Sequence, residues 1–203
     1  MIADKDRSGW IGASDASYVV GNWNTDTFRK WFLTKIGWRT ESFTNVAMQA
    51  GTEFEHKILD TIPGVRKDHQ ILLPCGLRVN YDGDKDGVIY EVKTHNIEKP
   101  FKVSKQYWRQ AQIEMYAMKS KELYIVSYGL TESDYENFFN PVDPLRIVYT
   151  KVEYDQNFID EFLLKLNYLV KCMDLGRFPN EHRNENAPPI TFPLQRPPDK
   201  TAV

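Results

Sequence analysis

The sequence predicts an α/β domain with a central mixed β-sheet and helices on both of its sides. Three observations carry this. Apolar residues recur at helical spacing in four stretches. Strand-like runs fall between them, bounded by Gly, Pro and Asp turn residues. The order of these elements is helices, three strands in a meander, a helix, two strands and a helix, which is the pattern of a layered sheet.

The first stretch, Ser8–Asn22, reads SGWIGASDASYVVGN. Ser14 is placed as a helix N-cap with Asp15 in the first turn and Gly21 as the stop. The free N–H groups of such a helix start favour an anion, and Arg7 upstream could add a charge-assisted contact to a phosphate. A cap and a surface arginine would be the plainer reading of the same residues. Thr25–Ile36 is predicted as a second helix, with Phe28, Trp31, Phe32 and Ile36 on a core-facing stripe. Asn45–Ile62 is a third, capped by Asn45 and closed by Pro63-Gly64. Gly51 inside it costs about 1 kcal/mol against alanine, so a close approach of another element is expected there. Glu55 lies one turn beyond Gly51, placed to reach over a sheet edge. His56 has no partner at metal spacing and reads as a surface residue.

His69–Leu73 is a predicted strand, followed by a turn at Pro74–Gly76 and then the stretch Tyr81–Thr94, YDGDKDGVIYEVKT. Asp86-Gly87 is a strong hairpin signal, because a type I′ turn needs positive φ at both central residues. A turn there pairs Lys85 with Val88, Asp84 with Ile89, Gly83 with Tyr90 and Asp82 with Glu91. Alternation then puts Asn80, Asp82, Asp84, Ile89, Glu91 and Lys93 on one face, and Val79, Tyr81, Val88, Tyr90 and Val92 on an apolar one. Opposed like charges destabilise a hairpin. Two paired carboxylates with a lysine two residues on therefore call for a cation between them, and an all-oxygen set suits Mg²⁺. A solvated hairpin face is the competing reading.

Ser104–Lys119 is the fourth helix, with Ser104 as N-cap and Gln110 as a polar residue on a largely buried side, where an amide needs partners. Glu122–Leu130 and Leu145–Tyr154 are predicted strands joined by an acidic loop. Asn157–Leu175 is a long amphipathic helix ended by Gly176. Residues 1–178 form the predicted domain, and residues 179–203, rich in proline and without period, an extended or disordered tail.

The bulk numbers exclude several classes. The 203 residues, 41% hydrophobic and 27% charged, fit one globular domain. No apolar run is long enough for a membrane span, and the first ten residues lack the apolar core of a signal peptide. Two cysteines, Cys75 and Cys172, without metal spacing argue against a disulfide framework, a zinc site or an iron–sulfur cluster, and suit a cytoplasmic protein. The net charge of −2 means that a nucleic-acid partner would be gripped by a local basic patch.

Five pieces stand in one order: Arg7 with IGAS ending at Ser14, GTEFE at Gly51–Glu55, NYDGD from Asn80, EVK at Glu91–Lys93, and YWRQ at Tyr107–Gln110. This arrangement resembles the PD-(D/E)xK nuclease superfamily, and within it the phage lambda exonuclease branch, the YqaJ-like viral recombinases. The resemblance runs from about Arg7 to about Phe178. It implies a restriction-endonuclease-like core and a metal-dependent deoxyribonuclease. Asp82, Glu91, the Val92 carbonyl and Glu55 would hold one or two Mg²⁺ ions, with Mn²⁺ as a substitute. Lys93 would position or activate the attacking water, Gln110 would stand beside the site, and Arg7 and Ser14 would receive a terminal 5′-phosphate. DG and ExK stand closer together here than in lambda exonuclease; a turn placed elsewhere would put Asp84 in the role of Asp82.

The function implied is a Mg²⁺-dependent 5′→3′ exonuclease on linear double-stranded DNA in phage-type recombination, with a phage or prophage origin. A single-strand annealing protein and a homo-oligomer are the further partners implied. The alternatives are a nicking or structure-selective endonuclease on the same fold and a non-catalytic DNA-binding protein on a decayed one. Retention of all four of Glu55, Asp82, Glu91 and Lys93 argues against decay.

Overall fold

A computed structural model describes residues 8–39 and 45–179 of the chain. Arg7 and the tail from residue 180 onward lie outside these residues. Five strands form one sheet in the order β1 (Arg66–Leu73), β2 (Leu77–Lys85), β3 (Val88–Asn96), β4 (Glu122–Leu130) and β5 (Ile147–Glu153). β3 and β4 are parallel, and the other neighbours are antiparallel. The sheet is mixed because the β3–β4 connection carries a helix, α4 (Lys105–Met118), whereas the others are hairpins or short excursions.

Two helices begin at the caps that the sequence places, Asn45 and Ser104. Thr25, Asn45 and Ser104 each accept a backbone N–H with the side chain, opening α2 (Asp26–Lys35), α3 (Val46–Leu59) and α4. Asp155 opens α6 (Gln156–Asp174) in the same way. The first stretch differs from expectation. Gly12, not Ser14, precedes a 3₁₀ turn at Ala13–Asp15, and Asp15 Oδ2 accepts the Gly12 N–H at 2.7 Å. The following helix α1 (Ala16–Val19) has four residues. Ser14 is exposed inside the 3₁₀ turn and does not cap the helix, because the turn begins at Gly12. The loop after β4 also holds a helix that the pattern did not reveal, α5 (Glu132–Glu136), opened by Thr131 and Asp134. Its sequence cue is the T-x-x-D spacing of a capping box.

Both faces of the sheet are covered. α3 lies on one, where Ala50, Phe54, Ile58 and Leu59 meet Val92, Val126 and Tyr128. α4 lies on the other, where Ala111 and Met115 meet Ile89, Leu123 and Ile125. A third cluster joins α1, α2 and α6 to Leu77, Val79 and the far side of α4. A Cβ on Gly51 would stand 3.3 Å from Thr94 Oγ1, so the glycine lets α3 approach β3 closely.

The hairpin turn is as the sequence predicts. Asp86 and Gly87 have φ of 50° and 84°, and Lys85, Asp84 and Gly83 pair with Val88, Ile89 and Tyr90. The ladder ends there, and the expected Asp82–Glu91 pair is not part of it. The predicted faces also need correction. Tyr81 packs with Ile89 beneath α4, and Val79 joins the cluster of α1, α2 and α6, while Tyr90 and Val92 face α3. The reason is a break in alternation. Asp68 has φ of 58°, and the β1–β2 ladder skips the position between Lys67–Gly83 and His69–Tyr81. Arg66 and His69, three residues apart, consequently both reach Asp84.

Candidate active site

Four elements converge where β2 and β3 part. β2 brings Asp82, β3 brings Glu91 and Lys93 two residues apart on one face, and α4 brings Gln110 across that face. α3 brings Glu55 from the opposite side of the sheet. Asp82 Oδ2 accepts the Val92 N–H at 2.8 Å. The side chain thus occupies the backbone donor that a continued ladder would have used.

Glu91 is 3% exposed. Its Oε1 accepts from Lys93 Nζ at 2.7 Å and from Gln110 Nε2 at 2.5 Å. Its Oε2 is buried with no hydrogen-bond partner. Gln110 Nε2 also donates to Glu114 Oε1 at 2.8 Å. Glu114 is fully buried, one turn further along α4, and its Oε2 likewise has no partner. The sequence pattern on α4 already holds Glu114 at helical spacing from Gln110, but it gives no sign that the two face one carboxylate. Tyr107 of the same helix lies beneath Lys93, the ammonium 5.2 Å from its ring centre. Gln112, two residues beyond Gln110, is a different kind of buried amide. It bonds the Glu153 carbonyl and the Asp155 N–H and is satisfied by backbone alone.

The electrostatics follow from this crowding. Burial, then Glu91 and Glu55 nearby, push the Asp82 carboxyl well above the usual carboxylate range. Burial and Glu91 do the same to Glu114. Glu55 is also raised, by burial first and then by Glu91. Burial would lower the Lys93 ammonium, but Glu91 and Asp82 outweigh it and hold the lysine charged. Four carboxylates and one ammonium leave an excess of negative charge away from bulk water, which is costly unless a cation or protons balance it.

The residues present fit a divalent cation. Glu91 Oε2 is a buried oxygen without a donor, and the surrounding set is carboxylate oxygen, the ligand type of Mg²⁺ and Mn²⁺. The carboxylates are engaged by internal donors, Asp82 by the Val92 N–H and Glu91 by Lys93 and Gln110. Among the described residues, the group with all ligand atoms within 4.8 Å of one another is Glu55, His56 and Asp68. His56 Nε2 is 3.1 Å from Asp68 Oδ1. His56 therefore has a partner that its own surroundings in sequence do not disclose, because Asp68 arrives on β1. Asp84, the alternative to Asp82, is fully buried and committed elsewhere. It pairs with Arg66, and His69 Nε2 stands 3.3 Å from its Oδ1. Ser14 lies on the turn that packs along α4.

No protein-family model and no curated protein matches the sequence. Solved structures do. The alkaline exonuclease LHK-Exo of Laribacter hongkongensis aligns with a TM-score of 0.64 at 23% identity, over 84% of this chain and 90% of that one. The same enzyme in complex with dAMP aligns equally well. A phage-related exonuclease from Haemophilus somnus 129PT aligns with a TM-score of 0.65 at 18% identity, over 82% and 94%. The chain has the fold of these exonucleases. The central mixed sheet with helices on both sides that the sequence predicts is thereby present, with the DGD hairpin, the ExK strand and the Y-x-x-Q helix in one place. No helix among the described residues is long and apolar enough to cross a membrane.

Proposed function

We propose that this protein is a divalent-metal-dependent exonuclease that hydrolyses phosphodiester bonds of linear double-stranded DNA in the 5′→3′ direction. The observation that carries the proposal is the buried, unpartnered Glu91 Oε2 among Asp82, Glu55 and Glu114, with a charged Lys93 on the other oxygen. The exonuclease fold of the solved relatives supports it at the level of architecture.

Asp82, Glu91, Glu55 and the Val92 carbonyl would hold one or two Mg²⁺ ions, with Mn²⁺ able to replace them. The ion, when bound, supplies Lewis acidity toward the phosphate and lowers the pKa of water. The chain's own groups do the rest. Lys93, kept protonated by its neighbours, stabilises negative charge as it develops on the phosphate. Gln110 holds Glu91 in a single orientation, and Tyr107 backs the lysine. Arg7 and Ser14 are proposed to receive the terminal 5′-phosphate, so that the next phosphodiester is set against the carboxylates. In a phage-type recombination role the remaining 3′ strand would pass to an annealing protein, and self-association of the exonuclease belongs to the same reading.

The test uses linear duplex with 5′-phosphate or 5′-hydroxyl ends and closed circular duplex, each with Mg²⁺ or EDTA. Mononucleotide release from phosphorylated linear DNA, lost in EDTA and in Glu91→Ala and Lys93→Ala, is expected. Cutting of circles would replace the exonuclease with an endonuclease. DNA binding with no cleavage in any metal would replace it with a binding protein.

A further inference from the structure

Arg109 stands beside Gln110 on α4 and points to a different element. Its Nη1 reaches Ser17 Oγ of α1 across 3.4 Å, at the loose end of a hydrogen bond. Its Nε is buried with no partner. Among the described residues it forms no ion pair, and the carboxylate nearest in sequence to Ser17 is fully occupied. Asp15 takes Lys35 at 2.5 Å, Trp31 Nε1 at 2.8 Å and the Gly12 N–H at 2.7 Å. A half-buried guanidinium with a buried, unmet N–H and no counter-charge is a costly arrangement. It becomes favourable when an anion arrives that accepts from the guanidinium fork, and phosphate oxygens match that fork in charge and geometry.

The neighbourhood places such an anion usefully. The 3₁₀ turn and α1 both pack along α4, and Ser14 and Ser17 are one turn apart. Consecutive residues of α4 thus address two different things, Gln110 the Glu91 carboxylate and Arg109 the α1 surface. We propose that Arg109, with Ser17, is a receptor for a nucleic-acid phosphate next to the carboxylate site. The phosphate is either the terminal monoester or a diester further along the strand. The assignment of the anion to DNA rests on the nuclease reading; the presence of an anion site does not.

The experiment compares wild type, Arg109→Gln and Arg109→Lys in EDTA, after circular dichroism has shown that each is folded. Fluorescent duplexes with 5′-phosphate or 5′-hydroxyl ends are titrated by anisotropy over a range of salt. Thermal stabilisation by inorganic phosphate is measured in parallel. Arg109→Gln is expected to weaken duplex binding about 10- to 100-fold, in line with loss of a charge-assisted contact, and Arg109→Lys to recover part of it. A loss confined to the phosphorylated duplex assigns the monoester. An equal loss on both duplexes, with a salt slope lower by about one, assigns a backbone diester. Unchanged duplex binding, with unchanged stabilisation by phosphate, overturns the proposal. Phosphate stabilisation that depends on Arg109 in a protein that neither binds nor cuts DNA keeps the anion site and removes the nuclease reading instead.

Discussion

The Asp82 carboxylate accepts the Val92 N–H at 2.8 Å, one residue past the end of the β2–β3 ladder. A side chain thus closes a fork that the backbone leaves open, and it does so with the oxygen pair proposed to bind the cation. The two roles separate by substitution. Asp82→Asn keeps an acceptor for Val92 and removes one of the crowded charges. It should fold, melt higher than wild type in EDTA, and lose at least about 100-fold in cleavage rate. Asp82→Ala should lose the same activity and in addition about 1–3 kcal/mol for the unmet N–H. Melting curves in EDTA and single-turnover cleavage check both.

Cation binding should stabilise the protein more as pH rises. Asp82, Glu114 and Glu55 all have carboxyls raised by burial and by mutual repulsion. The folded chain without metal therefore binds more protons than the unfolded chain at pH values between the ordinary carboxylate pKa and the raised ones. Its stability falls as pH rises through that window. A divalent ion takes the place of those protons. The melting-temperature gain from Mg²⁺ or Mn²⁺ over EDTA should be small near pH 5 and larger at pH 8. A gain independent of pH would mean that the ion binds away from these carboxylates.

Gly83→Ala should cost stability. A Cβ there would meet Val65 Cγ2 at 3.0 Å, Leu59 Cδ2 at 3.1 Å and the Arg66 carbonyl at 3.2 Å. Backbone oxygen cannot step aside as a side-chain end can, so the hairpin must shift. About 1–3 kcal/mol is expected for such overpacking, or several degrees in melting temperature for a chain of this size. The neighbouring Asp82 should be displaced with it, lowering cleavage even where the protein remains folded.

Much of this was legible in the sequence, and the residues show why some was not. The Asp86-Gly87 turn and the caps at Asn45 and Ser104 follow from local rules that tertiary packing did not override, whereas the place of Gln110 beside Glu91 and Lys93 was implied by the family resemblance alone. The Asp82–Glu91 pair and the grouping of Val79 and Tyr81 with Tyr90 and Val92 were misread, because alternation was carried along β2 through Asp82, whose opposite position on β1 is the left-handed Asp68 and is left out of the ladder. Ser14 as a cap failed because Gly12 and Asp15 form the turn themselves. His56 could not be paired with Asp68, nor Arg109 with Ser17, from spacing alone, since those contacts are made only when the sheet and helices assemble.

Glu114 tests how far the site's negative charge is deliberate. It is fully buried, shares the Gln110 amide with Glu91, and leaves Oε2 without a donor. Were it only a structural anchor for Gln110, a neutral amide of the same size would serve better, since removing a buried charge relieves its repulsion with Glu91. Glu114→Gln should accordingly raise the melting temperature in EDTA. If the carboxylate also strengthens the field at the cation, the same variant should bind Mn²⁺ more weakly, by up to about tenfold, the effect of roughly one unit of charge interaction across a screened interior. Calorimetric titration of Mn²⁺ alongside melting in EDTA distinguishes the two. A higher melting temperature with weaker Mn²⁺ binding makes Glu114 part of the cation's surroundings, and a higher melting temperature with unchanged binding makes it a support for Gln110 alone.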